Sequence, residues 1–291
     1  MDDKYHKLCL CFCCILAVLI LTGCAPKVIE EPIYIGPRKE SAAEVLSVLN
    51  TRSQKAVPLL AKGRCVLQFY DEENKKRKES LPMVRIVMSP PIELYLQGDA
   101  TLVPKAIILG SNESEFWLAL KPKEISAYWW GKWSEQHSYE GLKISPSSVF
   151  EALGIMEVDA DGNWSLSNEG VFDVLTKREQ GQVVKKIYVS SYSYLVGMIE
   201  YFDLEGHAIA YTELSDYTEV SDGFYVPTSI NIIAYGQNAN DDSLSITLSI
   251  LSIGPKEITD GMRNFYFKRP KPQGFKHVLM NEGGEWIEQQ Q

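Results

Sequence analysis

Leu244, Ile246, Leu248 and Ile250 alternate with Ser245, Thr247 and Ser249, giving one strand an apolar face and a small polar face. The same period of two recurs through most of the chain. Arg64 to Tyr70, Met83 to Met88, Ile92 to Leu96, Ala106 to Leu109, Phe116 to Leu120 and Glu124 to Trp130 make a first series. Val183 to Tyr188, Leu195 to Asp203, His207 to Leu214, Phe224 to Ala234, Leu244 to Ile253 and Phe265 to Arg269 make a second. Between them fall turn formers such as Gly110-Ser111-Asn112, Lys121-Pro122-Lys123, Leu204-Glu205-Gly206, Ser221-Asp222-Gly223 and the stretch from Asn238 to Asp242. Short strands with turns between them predict a mainly β protein, an antiparallel meander of about eleven strands.

Two helices interrupt this texture. Ser41-Ala42-Ala43-Glu44 has the spacing of a capping box, and Val45, Leu46, Leu49 and Ala56 recur at helical intervals until Pro58 and Gly63 close the segment. Ser145-Pro146 reads as an N-cap followed by proline at the first helical position. Val149, Phe150 and Leu153 then form one face, and Gly154 is a natural stop. Residues 41–274 read as one domain and 275–291 as a polar tail.

Ahead of the domain, Lys4, His6 and Lys7 precede an apolar run from Leu8 to Leu21, too short for a comfortable membrane span of about 20 residues. The run ends in Leu21-Thr22-Gly23-Cys24, which resembles the lipobox of bacterial lipoproteins. The resemblance implies that 1–23 is a removed signal peptide and that Cys24 is diacylated. Two acyl chains, each methylene contributing roughly 0.8 kcal/mol, anchor a protein stably. Residues 24–40 then read as a lipidated tether, held extended by Pro26, Pro32 and Pro37. Ala25 is not aspartate, so the enterobacterial sorting rule implies the outer membrane, with the domain facing the periplasm; in a single-membrane organism it implies the cell membrane.

Composition narrows the rest. A hydrophobic fraction of 45% is that of an ordinary globular protein. A net charge of −9 without a basic run argues against nucleic acid as a partner. Cys9, Cys11, Cys13 and Cys14 would leave with the signal peptide, so Cys65 alone would remain as a thiol, most simply a small buried hydrophobe.

Motifs for nucleophilic, metal or phosphate chemistry are missing from the sequence: no G-x-S-x-G, H-E-x-x-H, P-loop or G-x-G-x-x-G. His137, His207 and His277 are scattered and read as solvated surface residues. Asp159-Ala160-Asp161-Gly162-Asn163 begins like a calcium loop, but Gly170 stands where the twelfth-position carboxylate belongs, so it reads as a turn. Aromatic residues crowd two regions, Trp117 with Tyr128, Trp129, Trp130 and Trp133, and Tyr188 with Tyr192, Tyr194, Tyr201 and Phe202. Such residues are either ordinary core or the large uncharged walls of an apolar pocket. Trp129 and Trp130 must point to opposite faces, so at most one faces inward.

The order of elements, together with Ser89-Pro90-Pro91-Ile92-Glu93-Leu94, Ser145-Pro146 before Val149-Phe150, Tyr201-Phe202-Asp203-Leu204-Glu205-Gly206 and Phe265-Tyr266-Phe267-Lys268-Arg269-Pro270, resembles the lipoprotein carrier superfamily of LolA and LolB. The resemblance implies an incomplete antiparallel β-barrel with an N-terminal helix and a short mid-chain lid helix. It further implies an apolar trough for a lipid or lipoprotein acyl chain, with no enzymatic activity, cofactor or metal. The residues it points to for trough and lid are Leu94, Leu96, Trp117, Tyr128, Trp130, Val149, Phe150 and Leu153. The alternative is a structural lipoprotein of an envelope complex, with the same fold closed over its own side chains.

Overall fold

A computed structural model describes residues 36–70, 73, 75–122, 125–133, 146–156, 158–159, 161–235, 244–282 and 285–289. Cys24, the signal peptide, most of the tether, His137, Ser145 and the turn at Asn238 to Asp242 lie outside the described residues.

The first element among the described residues is α1 (Ala42–Ser53). As the spacing predicts, the Ser41 hydroxyl caps it by accepting from the Glu44 N–H at 3.3 Å, and Val45, Leu46 and Leu49 form its buried face. The helix stops before Ala56, and Gly63 lies not at its end but inside a strand. Then follow β1 (Leu59–Tyr70), β2 (Lys76–Ser89), β3 (Glu93–Asp99), β4 (Ile107–Ser111), β5 (Glu115–Leu120) and β6 (Ala127–Lys132). After α2 (Pro146–Ala152) come β7 (Trp164–Glu169), β8 (Phe172–Glu179), β9 (Gln182–Ser190), β10 (Val196–Phe202), β11 (Ala208–Ser221), β12 (Phe224–Ala234) and β13 (Leu244–Pro255). The chain closes with α3 (Asp260–Tyr266), β14 (His277–Glu282) and β15 (Glu285–Glu288).

The fifteen strands of the described residues join one open sheet in the order β15-β14-β6-β5-β4-β3-β2-β1-β13-β12-β11-β10-β9-β8-β7. The mainly β, unclosed architecture with a lead helix and a small mid-chain helix is the expected one, but the strand count is higher than the alternation predicts. β7 and β8 escape the alternation because their apolar tracts are short: Ser165, Ser167 and Asn168 leave β7 mostly exposed, and β8 carries the buried Asp173. The polar tail expected beyond residue 274 holds β14 and β15; β14 lies parallel to β6, pairing His277 with Ala127 and Asn281 with Gly131. A pairing across about 150 residues leaves no local signature.

One expected strand is absent. Phe265 to Arg269 spans the end of α3, because Thr259 caps a helix there by accepting from the Met262 N–H at 3.3 Å. Phe265 is left 67% exposed and Phe267 is buried.

The sheet must curve. Seven neighbouring strands from β5 to β12 in this order would stretch roughly 29 Å if flat, at about 4.8 Å per step. Yet Leu118 of β5 and Ile230 of β12 line one common space. Gly63 supplies part of the bend. The register of β1 slips against both neighbours at this residue, between Lys62 and Gly63 on the β13 side and between Gly63 and Cys65 on the β2 side. A Cβ on Gly63 would stand 2.3 Å from the Ser249 carbonyl oxygen and 3.1 Å from the Ile250 Cα. Those are backbone atoms and cannot step aside. Gly63→Ala is therefore expected to destabilise the domain by about 3 kcal/mol, the upper end of overpacking costs. Urea unfolding should show it as a lower midpoint at unchanged slope.

Candidate functional site

Chain direction alternates across each antiparallel pair, so the turns sort to two ends of the sheet. The β1–β2, β3–β4, β5–β6, β8–β9, β10–β11 and β12–β13 connections share one end; β7–β8, β9–β10 and β11–β12 share the other. At the first end the concave face holds an open cavity of about 460 Å³. Its walls come from every second residue: Leu67 on β1, Leu96 on β3, Leu109 on β4, Leu118 on β5, Ile232 on β12 and Leu248 on β13. Among the described residues no acidic or basic side chain lines it. Cys65, also on the wall, is held protonated because burial pushes its thiol up to about 12.

The mid-chain helix lies over this space. Val149 and Ala152 of α2, with Leu153 directly after it, line the cavity. Its C-terminus is a Schellman turn: Gly154 takes φ +83, the Ile155 N–H donates to the Phe150 carbonyl at 2.9 Å, and the Gly154 N–H donates to the Glu151 carbonyl at 3.0 Å. Only a residue tolerant of positive φ ends the helix this way, so Gly154 is a stop as expected. Glu151 ties the helix to the opposite half of the sheet. It pairs with Lys185 of β9 at 2.7 Å and accepts a hydrogen bond from the Tyr201 hydroxyl of β10. Burial, and then the Glu151 carboxylate, hold the Tyr201 phenol protonated well above its ordinary range. Lys185 also stands 5.2 Å over the Tyr201 ring.

The structure divides the residues expected for trough and lid. Leu96, Val149 and Leu153 line the cavity. Leu94 and Phe150 are buried in the same core without reaching the cavity. Trp117, Tyr128 and Trp130 lie on the other face of the sheet, which corrects their placement. In β5 and β6 the even–odd alternation puts Leu118, Leu120 and Trp129 inward, so their neighbours must point out. Of the two adjacent tryptophans the inward one is Trp129, not Trp130. The outward group packs beneath the C-terminal segment. The Tyr128 hydroxyl donates to the Pro270 carbonyl at 2.7 Å, and the Arg269 guanidinium lies 3.9 Å over the Trp130 ring while pairing with Glu115 at 2.7 Å.

Leu102, in the β3–β4 connection at the cavity end, is 91% exposed. Leu102 and Val103 between Thr101 and Pro104 are too short an apolar run to mark this exposure beforehand.

The remaining chemistry stays small. His207 lies 3.2 Å from Asp203 in the β10–β11 turn, and His277 lies 2.7 Å from Glu288; both histidines are exposed. Asp159 folds a turn by accepting from the Asp161 N–H at 3.0 Å and, through its carbonyl, from the Gly162 N–H at 3.3 Å. Among the described residues no group of three histidine, cysteine or acidic side chains is placed to hold a metal, and no helix is long and apolar enough to cross a membrane.

No family model matches the sequence, and no curated protein matches it. Among solved structures the chain is similar to a LolA superfamily protein from Nitrosomonas europaea, at 9% identity over 79% of this chain and 99% of that one, with a TM-score of 0.46. It is similar to a putative outer membrane lipoprotein-sorting protein domain from Vibrio parahaemolyticus, at 9% identity over 72% of this chain and 92% of that one, with a TM-score of 0.46. A DUF1329 family protein from Desulfovibrio piger is similar at 12% identity over 78% of this chain and 95% of that one, with a TM-score of 0.48. At these identities the likeness concerns the fold alone.

Proposed function

We propose that this protein is a lipid-anchored, non-catalytic lipoprotein that faces the periplasm and holds a lipid or lipoprotein acyl chain in its apolar cavity. The cavity itself carries the reading. Apolar side chains around a space of 460 Å³ forgo the packing partners that a filled core would give them. Space on that scale is a built feature of the fold rather than a packing fault, and its size falls in the range of small-molecule sites. It speaks against the alternative, an assembly protein closed over its own side chains.

Affinity alone suffices for this work. Burying about ten methylenes contributes roughly 8 kcal/mol before the cost of association is subtracted. No proton or electron needs to move, which agrees with the scattered histidines. The exposed Leu102 at the cavity end is the residue we assign to first contact with the incoming chain. Cys24 is assigned as the acylated residue that keeps the domain at the outer membrane.

Three outcomes test the proposal. A fluorescent fatty acid should bind the mature protein and lose at least tenfold in affinity on Leu109→Glu, which puts a charge in the wall. Trp130→Gln, on the opposite face, should leave probe affinity unchanged in protein that remains folded by circular dichroism. Equal effects of the two would refute the assignment of faces.

Tyr201→Phe should speed probe entry several-fold in stopped-flow measurements, because α2 then loses one of its two ties to β9 and β10. Unchanged entry would mean that α2 does not gate the cavity.

Cys24→Ala expressed in cells should move the protein from the membrane to the soluble envelope fraction. Retention after a high-salt wash would sink the anchor.

A further inference from the structure

The outer face of the sheet carries a row of cations beyond the reach of the C-terminal segment. Leu60 on β1 and Val87 on β2 belong to the cluster which that segment seals. Past them, toward the β1–β2 turn, the alternation that buries Ala61, Cys65, Leu67 and Phe69 turns Lys62 and Arg64 outward. On β2 the burial of Leu81, Val84 and Ile86 turns Met83 and Arg85 outward. Lys78 stands opposite Gln68 and Lys76 opposite Tyr70, so both lie on the same side. Five cations thus share two adjacent strands over the span from position 62 to position 70, about 26 Å at roughly 3.3 Å per residue. The chain as a whole carries a net charge of −9, so the row is a local reversal of sign.

This arrangement works against the sheet. Lys62 stands directly opposite Arg85 in the register, and like charges so placed are destabilising. Among the described residues no carboxylate pairs with any of the five side chains. On the neighbouring β3, Glu93 is taken by Arg263, and Asp99 accepts from the Lys105 N–H at 2.6 Å and from Gln97 Nε2 at 2.8 Å. On the β13 side the outward residues opposite the row are Ser245, Thr247 and Ser249. Two large apolar side chains stand among the cations. Met83 is 57% exposed, and Leu251, on the β13 side of β1, is 67% exposed.

We propose that this outer face of β1 and β2 docks on an anionic lipid surface. Phosphate headgroups answer the five cations, and the boundary between headgroups and acyl chains takes Met83 and Leu251. An acidic protein segment would answer the charge and leave the two apolar side chains without a partner. The proposal stands on the outer face alone. Neither the cavity nor acylation of Cys24 enters it, so it holds or fails apart from both.

Vesicle binding tests it, with the mature chain from residue 24 made as Cys24→Ala so that no acyl group contributes. The protein should bind phosphatidylglycerol vesicles at least tenfold more tightly than phosphatidylcholine vesicles at low salt, and lose that preference in about 0.5 M salt. Equal binding to both overturns the proposal. One cation near such a surface contributes about fivefold, so Lys62→Ser with Arg64→Ser should lose at least tenfold in affinity for the anionic vesicles. Those two residues flank Gly63; Lys76→Ser with Lys78→Ser, away from the register slip, should lose as much in protein that remains folded. Arg178→Ser with Lys271→Ser removes two exposed cations elsewhere and should cost less than about twofold. A loss as large as that of the other pairs overturns the row as the docking surface. Leu251→Cys carrying an environment-sensitive dye should shift to the blue on anionic vesicles, and the same dye on the exposed Glu169→Cys should not; Cys65 is buried and stays unlabelled. A shift at both positions, or at neither, overturns the face. Tighter capture by soluble polyglutamate than by phosphatidylglycerol vesicles overturns lipid as the partner.

Discussion

An apolar sheet face broader than its helices can cover is the constraint on which this structure depends. One face of the curved sheet carries Leu67, Leu96, Leu109, Leu118, Ile232 and Leu248, and water must be kept from all of them. Curling the sheet brings β4 and β5 toward β12 and β13, and the register slip at Gly63 in the middle strand eases that curl. Among the described residues two helices, α1 and α2, lie over the rest. α1 contacts β7 and β8, and the seven-residue α2 contacts β4. They are too small to fill the concave side, and the remainder is the cavity.

The opposite face is treated differently. Val87, Tyr95, Ile108, Trp117 and Tyr128 form a second cluster, and the C-terminal segment seals it with Phe267, Phe275 and Val278. Arg263 pairs with the buried Glu93, and Arg269 pairs with Glu115 while lying on Trp130. The segment therefore does two things at once. It covers the outer face of the first half of the sheet and adds β14 beside β6. The large aromatics of β5 and β6 are mostly spent on this seal, so the cavity wall is chiefly leucine and isoleucine.

Polar side chains set positions rather than supply bulk stability. Glu151 is the clearest instance. The apolar side of α2 faces the cavity, and its carboxylate meets Lys185 and Tyr201 on β9 and β10, so one short helix bridges both halves of the curled sheet. Charge-assisted hydrogen bonds are directional and break individually. A helix held by two of them, over a space it does not fill, is suited to being moved aside. At the other end of the sheet the Lys39 N–H donates to the buried Asp173 carboxylate.

The period of two along the chain determined by itself that this is a β protein, and the capping residues Ser41 and Gly154 determined where two of its helices begin or end. These are local properties, written in side chains a few residues apart. The cavity face was half legible. Alternation separates Trp129 from Trp130, but which of them points inward depends on the curl of the sheet and on what covers each side. Phe265 to Arg269 looked like a strand because aromatic spacing ignores a cap at Thr259. β14 was hidden because its partner β6 lies about 150 residues away, and hydrogen bonding across such a distance selects shape rather than composition. The tie between Glu151, Lys185 and Tyr201 and the exposure of Leu102 were decided only in three dimensions, where residues far apart in the chain meet or are left uncovered.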